Sequence, residues 1–297
     1  MKEQASLTAP RLHQLLNAFH WYQTIDIKGV PTPGRFNHQE FLPHYHLPES
    51  LEGRTVLDVG CSDGFFSFEF ERRGARAVLA VDPNRQDGSL EDLDYSPSLK
   101  TRALEKYQHL RRPEVQRARE EARREVGAEK ATTFHVAKAL LASRVQHSFL
   151  SIYELHELAD TYDVVFCGTL SEHLKHPLGA LEQLRAVTRD VCIFAACGMI
   201  LTRPLSSGKV VLAKILEKLA LRAGLGSLLM LPDDTVCRYT GHEYHNSFFR
   251  CTVPAMEAML KASGFSHVEL KSTFLLTAAP GKEPLVSPHA VFHCYVS

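Results

Sequence analysis

The feature that most constrains the fold is a strand–turn–helix–strand unit in residues 54–82. Arg54–Gly60 is a short apolar run that stops at a glycine, which is typical of a buried strand. A helix over Asp63–Arg73 and a second apolar strand over Arg76–Asp82 follow it. Buried strands separated by a helix pair in parallel through right-handed crossovers. We therefore predict an α/β fold with a doubly wound, parallel sheet.

The alternation of helices and strands resumes after residue 131 and continues to the end of the sequence. Further helices are predicted at 132–143, 177–188 and 254–263. Further strands are predicted at 145–152, 162–167, 190–196, 266–274 and 288–296. This pattern predicts one large α/β domain over residues 51–297. Residues 1–50, with a short amphipathic helix over 7–20, are predicted to form an N-terminal cap segment.

Two helical inserts, at about 85–130 and 203–240, interrupt this alternation. Within the first, residues 100–130 contain ten basic and six acidic side chains, with Glu120 and Arg124 at helical i,i+4 spacing. This insert is either a solvated helix or a basic face for a phosphate-rich substrate. The second contains an apolar helical stripe over 210–221, which is typical of a lid. Contact with a membrane surface or with a second copy is the alternative for that stripe.

The composition argues against several classes of protein. The 34 basic and 34 acidic side chains balance, so there is no overall attraction to nucleic acid or to an acidic membrane. Hydrophobic residues make up 44 %, which is enough to fold a soluble enzyme and excludes a disordered chain. Seven cysteines without a CxxC pair predict a reduced, cytoplasmic protein without a disulfide framework or a zinc site. Neither a signal peptide nor a membrane-spanning run is predicted.

The turn after the first strand has the composition of a nucleoside-binding site. Gly60 and Gly64 allow a ligand to approach the backbone, and the start of a helix favours a polar or negative group there. Asp82 ends the next strand, 22 residues after Gly60, where a carboxylate can accept hydrogen bonds from a ribose diol. The GxGxxG spacing of a dinucleotide fingerprint is missing, which disfavours a nicotinamide dehydrogenase.

The segment Asp58-x-Gly60-x-Ser62-x-Gly64 resembles motif I of the class I S-adenosylmethionine-dependent methyltransferases, which usually have glycine at the position of Ser62. Segments 151–155 and 163–173 resemble those that such enzymes place against the adenine and against the donor methionine and acceptor. The resemblance implies a Rossmann-like fold of the class I methyltransferase type and S-adenosyl-L-methionine as the cofactor. The donor contacts that it implies are Asp58, Gly60, Cys61, Ser62, Gly64, Asp82, Pro83, Ile152, Tyr153 and Gly168.

A narrower resemblance, to the tRNA wobble-uridine carboxymethyltransferase family and its uncharacterised relatives, covers roughly 20–70 and 145–275. It includes Trp21-Tyr22 near the start and the segment Tyr244–Phe249 near the end. The resemblance implies that Trp21, Tyr22, His245 and Asn246 contact the acceptor. The two aromatic residues are alternatively core side chains or part of a flap over the cofactor.

Three departures from that narrower pattern bear on the donor. His245 stands where an arginine would precede the asparagine, Glu172 where a tyrosine is expected, and Gln23 where a lysine is expected. A carboxylate beside a sulfonium favours a cation over a second carboxylate. Unmodified S-adenosylmethionine is therefore the predicted donor, rather than a carboxylated one.

Methyl transfer requires a nucleophile aligned with the methyl carbon and the sulfur, and removal of a proton if the acceptor is a hydroxyl or an amine. The candidate catalytic residues are His173, Glu172 and His242. Histidine suits the role of base because its ordinary pKa is close to neutral. No metal site is predicted, because the histidine pairs at 44/46 and 242/245 lack a suitably spaced cysteine or carboxylate.

We therefore predict a methyltransferase that acts on a small molecule or metabolite, by transfer to an oxygen or nitrogen atom. A tRNA-modifying enzyme of the wobble-uridine kind is the first alternative, with the 100–130 segment as the RNA contact. A binding module that keeps the nucleoside site without turnover is a further alternative. The identity of the acceptor and the existence of a homo-oligomer stay open.

Overall fold

The computed structural model describes residues 7–83, 112–200, 235–240 and 247–297. The strands of these ranges, in chain order, are β1 (Asp26–Ile27), β2 (Val30–Pro31), β3 (Thr55–Val59), β4 (Ala77–Val81), β5 (Gln146–Ser148), β6 (Tyr162–Gly168), β7 (Thr188–Cys197), β8 (Cys237–Tyr239), β9 (Phe249–Cys251), β10 (His267–Thr277) and β11 (Val286–Tyr295). The α-helices are α1 (Ala9–Leu16), α2 (Leu42–Tyr45), α3 (Phe65–Arg72), α4 (Pro113–Val126), α5 (Thr133–Leu141), α6 (Pro177–Val187) and α7 (Val253–Ala262). Short 3-10 helices cover His38–Phe41, Ile152–Glu157 and Ser171–His173.

Seven strands form the central sheet, in the order β10-β11-β7-β6-β3-β4-β5. The five strands from β7 to β5 are parallel, and β11 lies antiparallel between β7 and β10. From β3 the chain proceeds outward through β4 to β5, and then returns to the other side of β3 with β6. Ligands of doubly wound sheets bind beyond the carboxyl ends of the strands at such a reversal. The predicted doubly wound sheet is confirmed. Because the reversal lies between β3 and β6, we expect the binding crevice at the ends of these two strands.

Side chains of successive residues along β3 enter two separate cores, one on each face of the sheet. Val56 packs into the cluster that contains Phe66 of α3 and Phe134 of α5. Leu57 packs into the cluster that contains Leu181 of α6 and Leu260 of α7. This period of two is the signature of a strand covered by helices on both faces.

The N-terminal segment is part of the first of these cores. Trp21 is only 2 % exposed, and its indole N–H donates to the carbonyl oxygen of Leu16 at 2.8 Å. The ring of Tyr45 lies 4.8 Å from that of Phe66 and 5.3 Å from that of Phe274. Of the two alternatives for Trp21, the structure supports the core aromatic, because its ring is enclosed and its one donor is used.

Helix α4, the described part of the first insert, uses its arginines in contacts within the protein. Glu120 pairs with Arg123 at 2.7 Å and with Arg124 at 3.1 Å, so the predicted i,i+4 pair is confirmed. The guanidinium of Arg119 is largely buried, where it donates to a backbone carbonyl at 2.9 Å. Glu125 pairs with Arg11 of the first helix. Residues 84–111, which contain the rest of this predicted insert, lie outside the described residues.

The prediction of a reduced protein without a disulfide framework is wrong for Cys237 and Cys251, which form a disulfide. The two residues face each other in the antiparallel pair of β8 and β9, where their Cα atoms are 4.2 Å apart. Spacing along the chain gave no signal for this pair, since the hairpin register is what brings them together. The other five cysteines are buried thiols. Most of the predicted 203–240 insert, including its apolar stripe, lies outside the described residues, as do His242, His245 and Asn246.

A membrane-crossing helix needs a long apolar stretch. None of the helices in the described ranges is both long and apolar enough to qualify.

Candidate active site

The loop between β3 and α3 has an unusual backbone that depends on its glycines. Gly60 has a φ of +79°, Ser62 of +53° and Gly64 of +95°. A Cβ added at Gly64 would lie 2.7 Å from the ring of Phe134, so no other residue fits there without displacing the aromatic core. Ser62 takes the left-handed conformation despite its side chain, at a cost of about 1 kcal/mol.

Two contacts fix this loop against the end of β4. The backbone N–H of Gly60 donates to the carbonyl oxygen of Val81 at 2.8 Å. The N–H of Ser62 donates to Oδ2 of Asp82 at 3.0 Å. The half-buried Asp82 carboxylate therefore lies beside the loop, with Pro83 after it, where ribose hydroxyls can donate to it. The structure brings these predicted donor contacts together at one side of the crevice.

Asp58 and Cys61 are predicted donor contacts whose side chains lie beneath the loop instead. Asp58 is 1 % exposed and accepts a hydrogen bond from the hydroxyl of Ser67 in α3 at 2.5 Å. Burial raises the pKa of this carboxyl to about 7, against the opposing effect of the Ser67 bond. Burial also raises the pKa of the Cys61 thiol. These two side chains support the loop from the core, since neither is exposed to the crevice.

The strand predicted over 145–152 ends four residues early in the structure, and a 3-10 helix begins at its last residue. β5 ends at Ser148, and Ser151 begins a 3-10 helix through a capping box: its hydroxyl accepts from the N–H of Tyr153, and Glu154 accepts from the N–H of Ser151 at 3.0 Å. This serine and glutamate pair ends the extended conformation. Ile152 is consequently buried, and the half-buried Tyr153 accepts at its hydroxyl from the N–H of His176 at 3.2 Å.

A group of polar side chains lies at the ends of β6, β7 and β11. It consists of Tyr22, Thr169, Glu172, Cys197 and His289, and we call it the acceptor-side cluster. His289 Nε2 lies 3.4 Å from the Thr169 hydroxyl, and burial lowers the pKa of His289 to about 4. Burial is the main cause that raises the pKa of the Tyr22 hydroxyl, followed by the neighbouring Cys197 and Glu172 side chains. Of this cluster, only Tyr22 and Glu172 were predicted as site residues.

The predicted base His173 and the predicted donor contact Gly168 belong to the turn that carries Glu172. Gly168 ends β6 and is half-buried. His173 is half-buried in the following 3-10 helix, and its N–H donates to the carbonyl oxygen of Leu170 at 2.9 Å. Both residues therefore lie at the carboxyl end of the strand next to β3, on the same edge of the sheet as the donor loop.

Sequence reasoning missed the contact that holds the N-terminal segment at this edge. Asp63 is 1 % exposed, and its Oδ2 accepts from the N–H groups of Tyr22 and Gln23, both at 2.7 Å. Its Oδ1 accepts from the Thr133 hydroxyl at 2.5 Å. Gln23 in turn accepts, through Oε1, from the N–H of Phe65 at 3.0 Å, at the start of α3. These partners are 40 to 70 positions from Asp63 in the chain, so no local pattern could identify them.

The doubly wound sheet, the glycine loop and the carboxylate at the end of β4 fit a class I methyltransferase with S-adenosylmethionine as its cofactor. A profile of the methyltransferase domain family matches residues 37–270, which is most of the sequence. The chain therefore belongs to the methyltransferase domain family.

Comparison with individual proteins gives a short local similarity and a full-length fold similarity. The chain is 44 % identical over 43 residues to the tRNA U34 carboxymethyltransferase of Pseudoalteromonas translucida and 46 % identical over 35 residues to that of Pseudomonas fluorescens. These matches cover 14 % and 12 % of this chain, and only 12 % and 11 % of the length of those relatives. The crystal structure of the N-terminal domain of EvdMO1 with SAH bound is 11 % identical, covers 98 % of each chain, and has a TM-score of 0.50. That likeness extends to the fold alone.

Proposed function

We propose that the protein transfers the methyl group of S-adenosylmethionine to a small molecule at the acceptor-side cluster. The observation that carries this proposal is the chemistry of that cluster, which contains hydroxyl, carboxylate and neutral imidazole groups. Such groups orient a small polar acceptor through hydrogen bonds. The cluster also lies between the N-terminal segment, which Asp63 holds, and the β8–β9 hairpin, whose Phe248 donates its N–H to the carbonyl oxygen of Glu172 at 2.6 Å.

The residues around the donor loop fit the proposed cofactor. Gly60 and Ser62 offer close approach to the backbone, and Asp82 offers a carboxylate to the ribose hydroxyls. When bound, the cofactor supplies an activated methyl group on a positively charged sulfur. Binding at the switch point leaves the ends of β6 and β7 for the acceptor. Residues 51–297 would thus carry the transferase, with residues 1–50 as its cap.

We propose His173 as the residue that accepts the acceptor's proton, because histidine is the base best suited to neutral pH. It lies in the same turn as Glu172, which is proposed to orient the acceptor or the base. Tyr22 is proposed to donate a hydrogen bond from its hydroxyl, since its raised pKa keeps the phenol protonated. His242, His245 and Asn246 stay proposed contacts on sequence grounds only.

A tRNA acceptor is the second candidate, and the similarity to tRNA U34 carboxymethyltransferases favours it. Phosphate recognition requires accessible cations. In the described part of the first insert, Arg123 and Arg124 share Glu120, and Arg119 is buried. These pairings reduce the positive charge that α4 offers to phosphates, although Arg117 of that helix is exposed. We therefore rank the small-molecule acceptor first on the chemistry of the acceptor-side cluster.

Transfer of a labelled methyl group decides between the two acceptors. The protein is incubated with S-adenosylmethionine labelled in the methyl group and with either a low-molecular-mass metabolite extract or deproteinised bulk tRNA. We expect a labelled metabolite other than S-adenosylmethionine itself. This product should be lost with His173→Ala. Label in the tRNA fraction, together with salt-sensitive tRNA binding, would replace the first candidate with the second.

A further inference from the structure

The carboxylate of Glu172 occupies space that exists only because residue 198 is glycine. Gly198 directly follows β7 with a φ of +64°, and a Cβ added there would overlap Oε2 of Glu172 and lie 2.8 Å from its Cδ. From the other side, the N–H of Phe248 donates to the carbonyl oxygen of Glu172. The end of β7 and the β8–β9 hairpin therefore fix both the backbone and the carboxylate of this residue.

No cation among the described residues pairs with this carboxylate. Arg250, which approaches the same turn, donates instead to the carbonyl oxygens of Gly198 at 2.8 Å and Met199 at 3.2 Å. Burial lowers the pKa of His289 to about 4, so this imidazole is neutral at pH 7. The raised pKa of Tyr22 keeps its phenol neutral as well. Arg35, the cation near Tyr22, pairs with Glu283 at 3.8 Å. Among the residues that the structure describes, no ion pair includes Glu172.

The turn that carries Glu172 lies against the donor loop. A Cβ added at Gly60 would lie 3.3 Å from Cδ2 of Leu170, two residues before Glu172. In the sheet, β3 separates β4 from β6. If Asp82 at the end of β4 binds the ribose, the rest of the donor extends across β3 toward β6, where Glu172 stands. A carboxylate held at that position attracts a cation.

We propose, resting on the proposed function, that Glu172 selects the donor by its charge. It favours the sulfonium cation of S-adenosylmethionine over the neutral thioether of S-adenosylhomocysteine, the demethylated product. The consequence for turnover is weak product inhibition, because the loss of the methyl group also removes the charge that Glu172 attracts. The same carboxylate repels a donor whose methyl group carries a second carboxylate.

Calorimetric titration of the full-length protein with both nucleosides tests this assignment. For the wild type we expect S-adenosylmethionine to bind about tenfold more tightly than S-adenosylhomocysteine. Glu172→Gln keeps the shape and removes the charge, so it should weaken S-adenosylmethionine about tenfold and change S-adenosylhomocysteine less than about twofold. Glu182→Gln, the same change on the exposed face of α6, is the matched control and should alter neither affinity.

A second variant and a third ligand test whether the position and the charge of the Glu172 carboxylate, rather than a general loss of binding, cause the selectivity. Gly198→Ala retains the carboxylate and displaces it, so it should reduce the same selectivity. Sinefungin carries an amine in place of the methyl-sulfonium, and its affinity should follow that of S-adenosylmethionine. An equal loss of both nucleosides in Glu172→Gln, or no change in either, overturns the proposal and leaves the proposed function standing. A wild type that binds neither nucleoside refutes the proposed function itself.

Discussion

Removal of the Asp63 carboxylate should separate the N-terminal segment from the donor loop. This buried side chain accepts the N–H groups of Tyr22 and Gln23 through one oxygen and the Thr133 hydroxyl through the other. It thus joins three segments: the start of the chain, the loop before α3 and the start of α5. Asp63→Ala removes the acceptor of two backbone N–H groups, those of Tyr22 and Gln23, where the side chain of residue 63 is buried.

The expected loss follows from those orphaned donors. A buried polar group that loses its partner costs about 1–3 kcal/mol, and hydrogen bonds to a charged acceptor lie toward the upper end. Two N–H groups therefore give a destabilisation of about 4 kcal/mol for Asp63→Ala. Asp63→Asn keeps an acceptor oxygen and loses only the charge, so we expect about 1–2 kcal/mol.

Urea titration followed by circular dichroism measures both changes as free energies of unfolding. Asp26→Ala is the control, because that carboxylate accepts a single N–H, of Gly29 at 2.9 Å, in an exposed turn. The control should lose less than about 1 kcal/mol. If Asp63→Ala proves no less stable than Asp26→Ala, the account of Asp63 as the attachment of the N-terminal segment is refuted.

Three further predictions concern the loop, the hairpin and the pH dependence. Gly64→Ala places a Cβ 2.7 Å from the Phe134 ring at a residue with a positive φ. Thermal denaturation should therefore show that the free energy of unfolding falls by about 2–4 kcal/mol. Calorimetry should show a weaker affinity for S-adenosylmethionine. Replacement of both Cys237 and Cys251 by serine opens a cross-linked loop of about 15 residues. The free energy of unfolding should therefore fall by up to about 3 kcal/mol in non-reducing buffer. Equal stability of the variant and the wild type would contradict the disulfide. Burial lowers the pKa of His38 to about 3, so the unfolded chain gains a proton there between pH 6.5 and 3 while the folded chain does not. His38 should therefore contribute up to about 1.4 kcal/mol per pH unit to a rise of stability with pH across that window. His38→Phe should reduce the slope by that amount in urea titrations at several pH values, while other buried histidines such as His289 keep the remainder.

The sheet was predictable because the sequence pattern of each strand and helix lies within that element. Each strand of the doubly wound sheet is a short apolar run, and each helix has its own periodicity, so strands β3, β4, β6 and β7 lie where the sequence predicts them. The error after β5 is also local in origin. There the capping residues Ser151 and Glu154 begin a 3-10 helix and end the extended conformation inside the predicted strand.

The donor side of the site was predictable for the same reason, and the acceptor side was not. Gly60, Gly64 and Asp82 follow consecutive strands of one βαβ unit, so their order in the sequence fixes their proximity. Asp63 meets Gln23, and Glu172 meets Gly198, only because the sheet and the N-terminal segment bring distant positions together. The disulfide was unpredictable for the same reason, since it depends on the register of the β8–β9 hairpin.

The most direct test of the donor site is the affinity for S-adenosylmethionine measured by calorimetry on the wild type, Asp82→Ala and the exposed control Asp160→Ala. Loss of two hydrogen bonds to a carboxylate weakens binding by roughly 100-fold, so we expect that change for Asp82→Ala and none for Asp160→Ala. Saturable binding by the wild type with equal affinity in Asp82→Ala, or no binding by the wild type at all, would contradict the assignment of this crevice to the methyl donor.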